Sequence, residues 1–380
     1  MLKLTDINSS IFEWALNYSG EGNAISIKFP KLNKWINKDD FPTVRQLEKF
    51  SKATNVPFGY FFLDKLPVVS LSIPFFRTLS EEQPVSFSPE LIDTVRIIEQ
   101  RQEWLKEYLT KNGLEPLSFV GSAKHSTNYK IIADKIRTAL GINEKWASKL
   151  PNWESALSFL IDKTENVNIN VIRNGVVGNN THRKLDYMEF RGLVIVDDFA
   201  PFLFINGTDF KSAQMFTLAH ELAHIWIGSS AIFDLRQLQP ADNKTEKLCD
   251  KIAAEFLVPE TQLIEEWQKV KHTENPFQII ARSFKVSEIV IARRVLDLGL
   301  ITKTVFFEFY DEYISKIPKS KKKDSGGDFY NTQRFRIGKR FANNVITAAK
   351  EGSLLYRDAY KLTGLTAKTF QKFESKLRAE

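Results

Sequence analysis

The sequence predicts an α+β, mainly helical multidomain protein whose core sets a small β-sheet against one long apolar helix. Three observations lead there. At 380 residues the chain is longer than a single hydrophobic core usually serves. Most apolar residues recur at helical spacing, but three short β-prone runs at 167–172, 192–196 and 202–205 break that period. The last run closes on Asn206-Gly207 and leads at once into an apolar helical stretch, the order expected of a sheet feeding a buried helix.

The first helix is expected over residues 9–18, where serines can cap and Ile11, Phe12, Ala15 and Leu16 share one side. The stretch that follows, with Gly20, Gly22 and Pro30, offers few helix formers. Thr43 is placed to cap a helix over 44–53, on which Val44, Leu47, Phe50 and Ser51 share a face, and Pro57 then allows a short turn. Residues 1–70 thus read as a small all-helical module, either a helix-turn-helix or a helical docking unit.

A helical connecting region is expected over 71–150. Pro89 suits the first turn of a helix over 87–109, Leu91, Val95, Ile98, Gln102 and Leu105 form its stripe, and a second helix covers 128–139. The next domain, 151–320, begins with a helix over 152–162 that turns Trp153, Ala156, Leu157 and Leu160 to the core. After the β-prone runs come a helix over 211–227 ended by Gly228, one over 244–257 ending before Pro259, and one over 259–270. Two further helices hinge at Val286-Ser287, with Ser287 as a cap. Residues 321–380 start with an exposed charged linker, KKKDSGG, and continue as a basic helical region whose segments 356–361 and 366–377 pair around Gly364. No repeat of constant period is present.

An apolar share of 43 %, with 30 Phe and seven Trp, supports packed cores and excludes a disordered tail protein. The formal charge of +7, gathered partly in Lys321-Lys322-Lys323 and Arg334-Phe335-Arg336, favours an acidic partner such as DNA or an acidic peptide, although such a surplus is also ordinary on soluble proteins. The single cysteine, Cys249, excludes an intrachain disulfide and a Cys-rich zinc site and fits a reducing compartment. The start, MLKLTDINSS, lacks the basic and apolar runs of a secretion signal, and no apolar stretch reaches membrane length. A cytoplasmic protein without membrane contact is the expectation.

The chemistry concentrates in His220-Glu221-Leu222-Ala223-His224. Residues four apart share a helix face, so both imidazoles can reach one metal ion while Glu221 stands beside them to take a proton from an attacking water. The helix is otherwise almost wholly apolar, and burying two histidines and a glutamate there without compensation costs several kcal/mol. A catalytic zinc needs three protein ligands and an open position. Glu246 on the next helix is the preferred third ligand, with Asp250 and, less favoured, Glu255 as rivals; Glu255 falls about 180° round the helix from Glu246. Asp250, one turn after Glu246, can instead accept the free ring N–H of a ligand histidine. Cys249 reads as a small buried residue. Donors for a tetrahedral oxyanion would come from His182, Arg183, Tyr187 or Arg191, just ahead of the central strand.

The run FTLAHELAHIWIG followed by EKLCDKIAAEFLVP resembles the core of the ImmA/IrrE family of metallo-endopeptidases. NGVVGNNTHRKLDYMEFRGLVIVDDFAPFLFIN resembles the strand region ahead of that family's metal helix, and FKVSEIVIARRVLDLGLI its closing helices; together the likeness covers roughly residues 150–300. It implies a zincin-like core, with His220, His224 and Glu246 as zinc ligands and Glu221 as the catalytic residue. Ile252 departs from the family's usual phenylalanine, a packing change. FPTVRQLEKFSKATNVPFGYFFL and the later IPFFRT resemble the second half and exit of an Xre-type helix-turn-helix module, whose first half is here shortened and interrupted, which puts DNA contact by this module in question. The function implied is zinc-dependent cleavage of a regulatory protein, a DNA-bound repressor encoded nearby, controlling mobile-element, stress or toxin-antitoxin genes. The rival is a transcription regulator or toxin-antitoxin component that uses the zincin domain as a non-proteolytic scaffold.

Overall fold

The computed structural model describes residues 3–20, 22–67, 87–233, 244–316 and 328–378. The IPFFRT segment and the KKKDSGG linker lie outside these residues. The described residues divide into two units, one holding 3–67 and 87–96, the other beginning at residue 97.

The first unit holds α1 (Ser10–Ser19), α2 (Gly22–Lys28), α3 (Leu32–Ile36), α4 (Val44–Thr54) and a 3-10 turn at Phe58–Phe62; α5 (Pro89–Lys111) begins here and continues into the second unit. Phe12 is the centre of its core, with ring centroids 5.8 Å from Trp35, 5.5 Å from Phe50 and 5.7 Å from Phe61. The cap of α4 forms as expected: Gln46 N donates to Thr43 Oγ1, and Thr43 N donates to Gln46 Oε1 at 2.9 Å. Two expectations are corrected. The glycine-containing stretch does form a helix, α2, because Ile25 is buried in the aromatic core and packing outweighs weak propensity. Val44, in the first turn of α4, is 41 % exposed, whereas Leu47, Phe50 and Ser51 are buried.

The second unit continues with α6 (Tyr129–Ala139), a 3-10 turn at Trp146–Lys149, α7 (Trp153–Asn166), β1 (Asn170–Asn174), β2 (Val176–Val177), β3 (Asn180–Lys184), β4 (Gly192–Ile195), β5 (Phe202–Asn206), α8 (Lys211–Ile227), β6 (Ala231–Phe233), α9 (Lys244–Leu257), α10 (Glu260–Val270), α11 (Pro276–Phe284), α12 (Glu288–Asp297), α13 (Lys303–Lys316), α14 (Phe329–Ile337), α15 (Lys339–Lys350), α16 (Tyr356–Thr363) and α17 (Ala367–Arg378). The stripe expected on α5 is buried throughout.

Four strands form one sheet in the order β1-β5-β4-β6, with β1 parallel to β5 and the other pairs antiparallel; β2 and β3 make a separate ribbon. All of β5 is buried. Its side chains alternate: Leu203 and Ile205 join the core that includes α8, while Phe202 and Phe204 meet Phe341 of α15 and Phe190. Helices α14 and α15 pack on β1. The sheet and one helix layer thus enclose α8, the arrangement expected.

Further corrections are local. Val167 belongs to the end of α7 and Asn168 takes a left-handed turn, φ 73°, so β1 starts only at Asn170. Trp153 is 40 % exposed, since α7 begins there, while Ala156, Leu157 and Leu160 are buried. Ser287 occupies the cap position of α12, but its hydroxyl makes no capping bond. Among the described residues no helix is long and apolar enough to cross a membrane.

Candidate metal centre

Helix α8 has its ends where the sequence set them, with Gly228 in the left-handed conformation at its C-terminus. Helix α9 packs along it. One turn separates His220 from His224, and one turn separates Glu246 from Asp250, so two pairs of side chains meet across the helix interface. The Nε2 atoms of His220 and His224 lie 3.1 Å apart. Glu246 reaches both rings: Oε2 is 3.1 Å from His220 Nε2 and Oε1 is 3.2 Å from His224 Nε2. On the far side of its ring, His220 Nδ1 lies 3.0 Å from Asp250 Oδ1.

Three donors at mutual distances of 3.1–3.2 Å are spaced as a tetrahedral ion requires, because bonds of about 2.0–2.1 Å set neighbouring ligands about 3.3 Å apart. All three side chains are buried. Burial and the pairing of rings with carboxylates shift all three groups. Burial alone would push the His220 imidazole down, but its bonds to Asp250 and Glu246 more than offset this and lift it to about 10. Burial likewise opposes ionisation of Glu246, yet the two rings hold its carboxyl down to about 2. Burial keeps His224 below the ordinary histidine value.

Cys249, read from the sequence as a small buried residue rather than a ligand, stands closer to the histidines than that reading implies. It is fully buried, as expected, but the ring nitrogens of His220 and His224 and the Cys249 thiol all lie within 4.8 Å of one another, a grouping that could hold a metal ion. Burial, then the charges of Glu246, Asp250 and Glu221, push the thiol well above its ordinary value. Glu255 points elsewhere: it forms a buried ion pair with Arg294.

Glu221 is completely buried, and neither carboxylate oxygen makes a hydrogen bond among the described residues. Burial drives its carboxyl well above the usual range, reinforced by the Glu246 charge and opposed by His220. Its place against the sheet depends on Gly192, the first residue of β4: a Cβ there would stand 2.5 Å from Thr217 Cγ2, 2.8 Å from Glu221 Oε1 and 3.0 Å from the Phe204 carbonyl. A glycine inside a strand is a sequence signal for such close approach, and it was readable.

A cleft of about 450 Å³ opens beside Asp250, lined among others by Arg191, Phe216, Lys247, Lys251 and Val290. Of the expected oxyanion donors only Arg191 lines it. Its guanidinium is held by the buried Asp209 at 3.0 Å, a partner the sequence reading missed, and lies 5.9 Å from the Tyr187 ring centroid. Tyr187 is half-buried, edge-on to Phe210, and does not line the cleft. His182 is exposed on β3, away from the four-stranded sheet, and Arg183 is its half-buried neighbour.

Comparison with known proteins agrees with this geometry. Residues 164–296 match the peptidase-family model described as the IrrE N-terminal-like domain. The chain therefore carries an IrrE-like domain, and the match spans the sheet, α8, α9 and the closing helices. Residues 337–376 match a model described only as a domain of unknown function. No curated protein matches the chain. The IrrE-like domain and the histidine-cysteine cluster are together consistent with a metal-dependent enzyme.

Proposed function

We propose that the chain is a zinc-dependent endopeptidase with a zincin-like core, cleaving a regulatory protein, a DNA-bound transcriptional repressor encoded nearby. The observation that carries this reading is the meeting of His220 Nε2, His224 Nε2 and the Glu246 carboxylate at 3.1–3.2 Å, with the unpartnered Glu221 next in sequence to His220.

In this reading His220, His224 and Glu246 would hold the ion, with the buried Cys249 thiol, held neutral by burial and the nearby carboxylates, close to both rings. When bound, zinc supplies Lewis acidity that polarises the scissile carbonyl and acidifies the attacking water. With an ion bound, Asp250, 3.0 Å from Nδ1, would accept the Nδ1–H of His220 and leave Nε2 as the nitrogen offered to the ion. Glu221, with no competing hydrogen bond, takes the proton of the attacking water and delivers it to the leaving amine. Arg191, fixed by Asp209 and lining the cleft, is the best placed of the expected donors to meet the developing oxyanion. The cleft lining combines apolar residues such as Phe216 and Val290 with Lys247, Lys251 and Arg293, which suits a peptide segment carrying apolar and acidic residues.

The test is cleavage of the neighbouring repressor by purified wild-type protein and by Glu221→Gln, with circular dichroism confirming both are folded. Fragments from the wild type alone support the reading. Intact repressor with both proteins, or regulatory output retained by Glu221→Gln, would replace it with a binding scaffold.

A further inference from the structure

We infer that the C-terminal helices α15, α16 and α17, the stretch matched only to a domain of unknown function, form a helix-turn-helix that docks on double-stranded DNA through the outer face of α17. The inference is independent of the peptidase reading.

Helix α16 ends at Gly364, φ 69°, and α17 starts at Ala367, so a turn of three residues joins them. Such a turn with a left-handed glycine is the signature of a helix-turn-helix. Leu365 is buried, and the Thr366 and Thr369 side chains exchange hydrogen bonds across the first turn of α17. Ala359, fully buried, lets α16 lie close to α15, while Phe370, Phe373 and Leu377 bury one side of α17; the Phe370 ring meets Tyr360 at 5.3 Å.

The opposite side of α17 is the candidate reading face. Lys368, Gln371, Lys372 and Ser375 recur at helical spacing and are all exposed. The helix carries four cations against one carboxylate. At 12 residues it is about 18 Å long, and a major groove admits a single α-helix. Lysines can meet phosphates along its length, and glutamine is a residue type that reads adenine by paired hydrogen bonds. Between residues 337 and 378 there are nine Lys and Arg against three Asp and Glu, so this stretch alone holds +6 of the chain's formal +7. The charge of the molecule is therefore concentrated where the helix-turn-helix lies.

A second helix pair shows that geometry alone is not enough. Helices α11 and α12 are also joined by a short turn, with Lys285 left-handed at φ 55°. There, however, α13 packs on α12, and Arg293 is neutralised by Asp297 at 2.9 Å. On α17 the helix α14 covers one flank, where Lys376 pairs with Asp328 at 2.9 Å and Lys372 lies 5.5 Å from the Tyr330 ring centroid, while Lys368, Gln371, Lys372 and Ser375 stay exposed.

The turn is also anchored to the rest of its unit. Arg101 of α5 donates through Nε to the Leu362 carbonyl at 2.9 Å, and Asn179, between β2 and β3, donates to the Gly364 carbonyl at 2.8 Å. DNA held by α17 would consequently sit in a fixed relation to the IrrE-like domain.

The test uses the full-length protein and a fluorescein-labelled duplex of about 30 base pairs, followed by fluorescence anisotropy across salt concentrations. Binding is expected to weaken steeply with salt. Lys368→Glu with Lys372→Glu should weaken it by about tenfold or more and lower the slope of log affinity against log salt by about 2. The milder pair of alanine substitutions should act in the same direction, guarding against a folding defect. Lys49→Glu with Lys52→Glu on α4 should leave binding unchanged. Absence of binding at low salt, insensitivity to the α17 substitutions, or equal competition by polyglutamate of the same charge would overturn the inference.

Discussion

Gly192 lies so close over Glu221 that a Cβ at this position would stand 2.8 Å from the carboxylate Oε1. The same atom would meet Thr217 Cγ2 at 2.5 Å, so Gly192→Ala forces the buried Thr217 and Glu221 side chains, or the helix and strand that carry them, to shift. The substitution is expected to cost about 1–3 kcal/mol of stability in urea unfolding. Turnover should fall by about 100-fold through displacement of Glu221, with metal content retained. Unchanged turnover would show that Glu221 does not depend on this contact.

Asp250 is placed to orient His220 rather than to join the three donors. Asp250→Ala should therefore weaken metal binding by about 10–100-fold without abolishing it, as measured by competition with a chromophoric chelator. Complete loss of metal would make Asp250 a ligand in its own right.

The Glu255–Arg294 pair is buried, and Arg294 also approaches the Val258 carbonyl at 3.4 Å. Removing one partner leaves an uncompensated charge, so Arg294→Met should cost about 3–5 kcal/mol in urea unfolding. Replacing both residues with methionine should recover most of that loss. A neutral single variant would contradict a structural role for the pair.

Glu165, buried at the end of α7, accepts a hydrogen bond from the Arg340 amide at 3.0 Å. Burial raises its carboxyl from 4.5 to about 7 despite that bond, with Asp162 adding to the shift and Arg334 and Lys339 opposing it. Because the folded value is the higher one, its contribution to stability is complete below the unfolded value and is lost as pH rises through about 7. Glu165→Gln should thus match the wild type near pH 4 and exceed it at pH 8, by up to about 3 kcal/mol. Equal stability of the two proteins at pH 8 would refute this.

Much of the centre was legible because its signals are local. The His-Glu-x-x-His spacing fixes a helix face, Gly228 and Pro259 mark where α8 and α9 stop, and a carboxylate pair one turn apart on α9 faces the histidines. What escaped depends on tertiary approach. Cys249 is brought near the rings by the packing of α9 on α8, which helical angle alone does not give. Asp209 holds Arg191 across the start of α8, and three-residue β6 is too short to leave a periodic signature. Trp153 and Val44 have core-facing patterns but stand in first turns where the core ends. Helix α14 was hidden behind the charge pattern of Arg334 and Arg336, yet it covers β1, with Arg173 4.4 Å from the Phe335 ring centroid.

The proposed function stands on His220, His224 and Glu246 together holding one metal ion. Elemental analysis of the purified full-length protein, wild type beside His220→Ala and Glu246→Gln, tests it most directly. About one zinc per wild-type chain is expected, with a sharp fall in both folded variants. A wild-type protein without stoichiometric metal after zinc reconstitution, or a Glu246→Gln variant that retains full zinc, would contradict it.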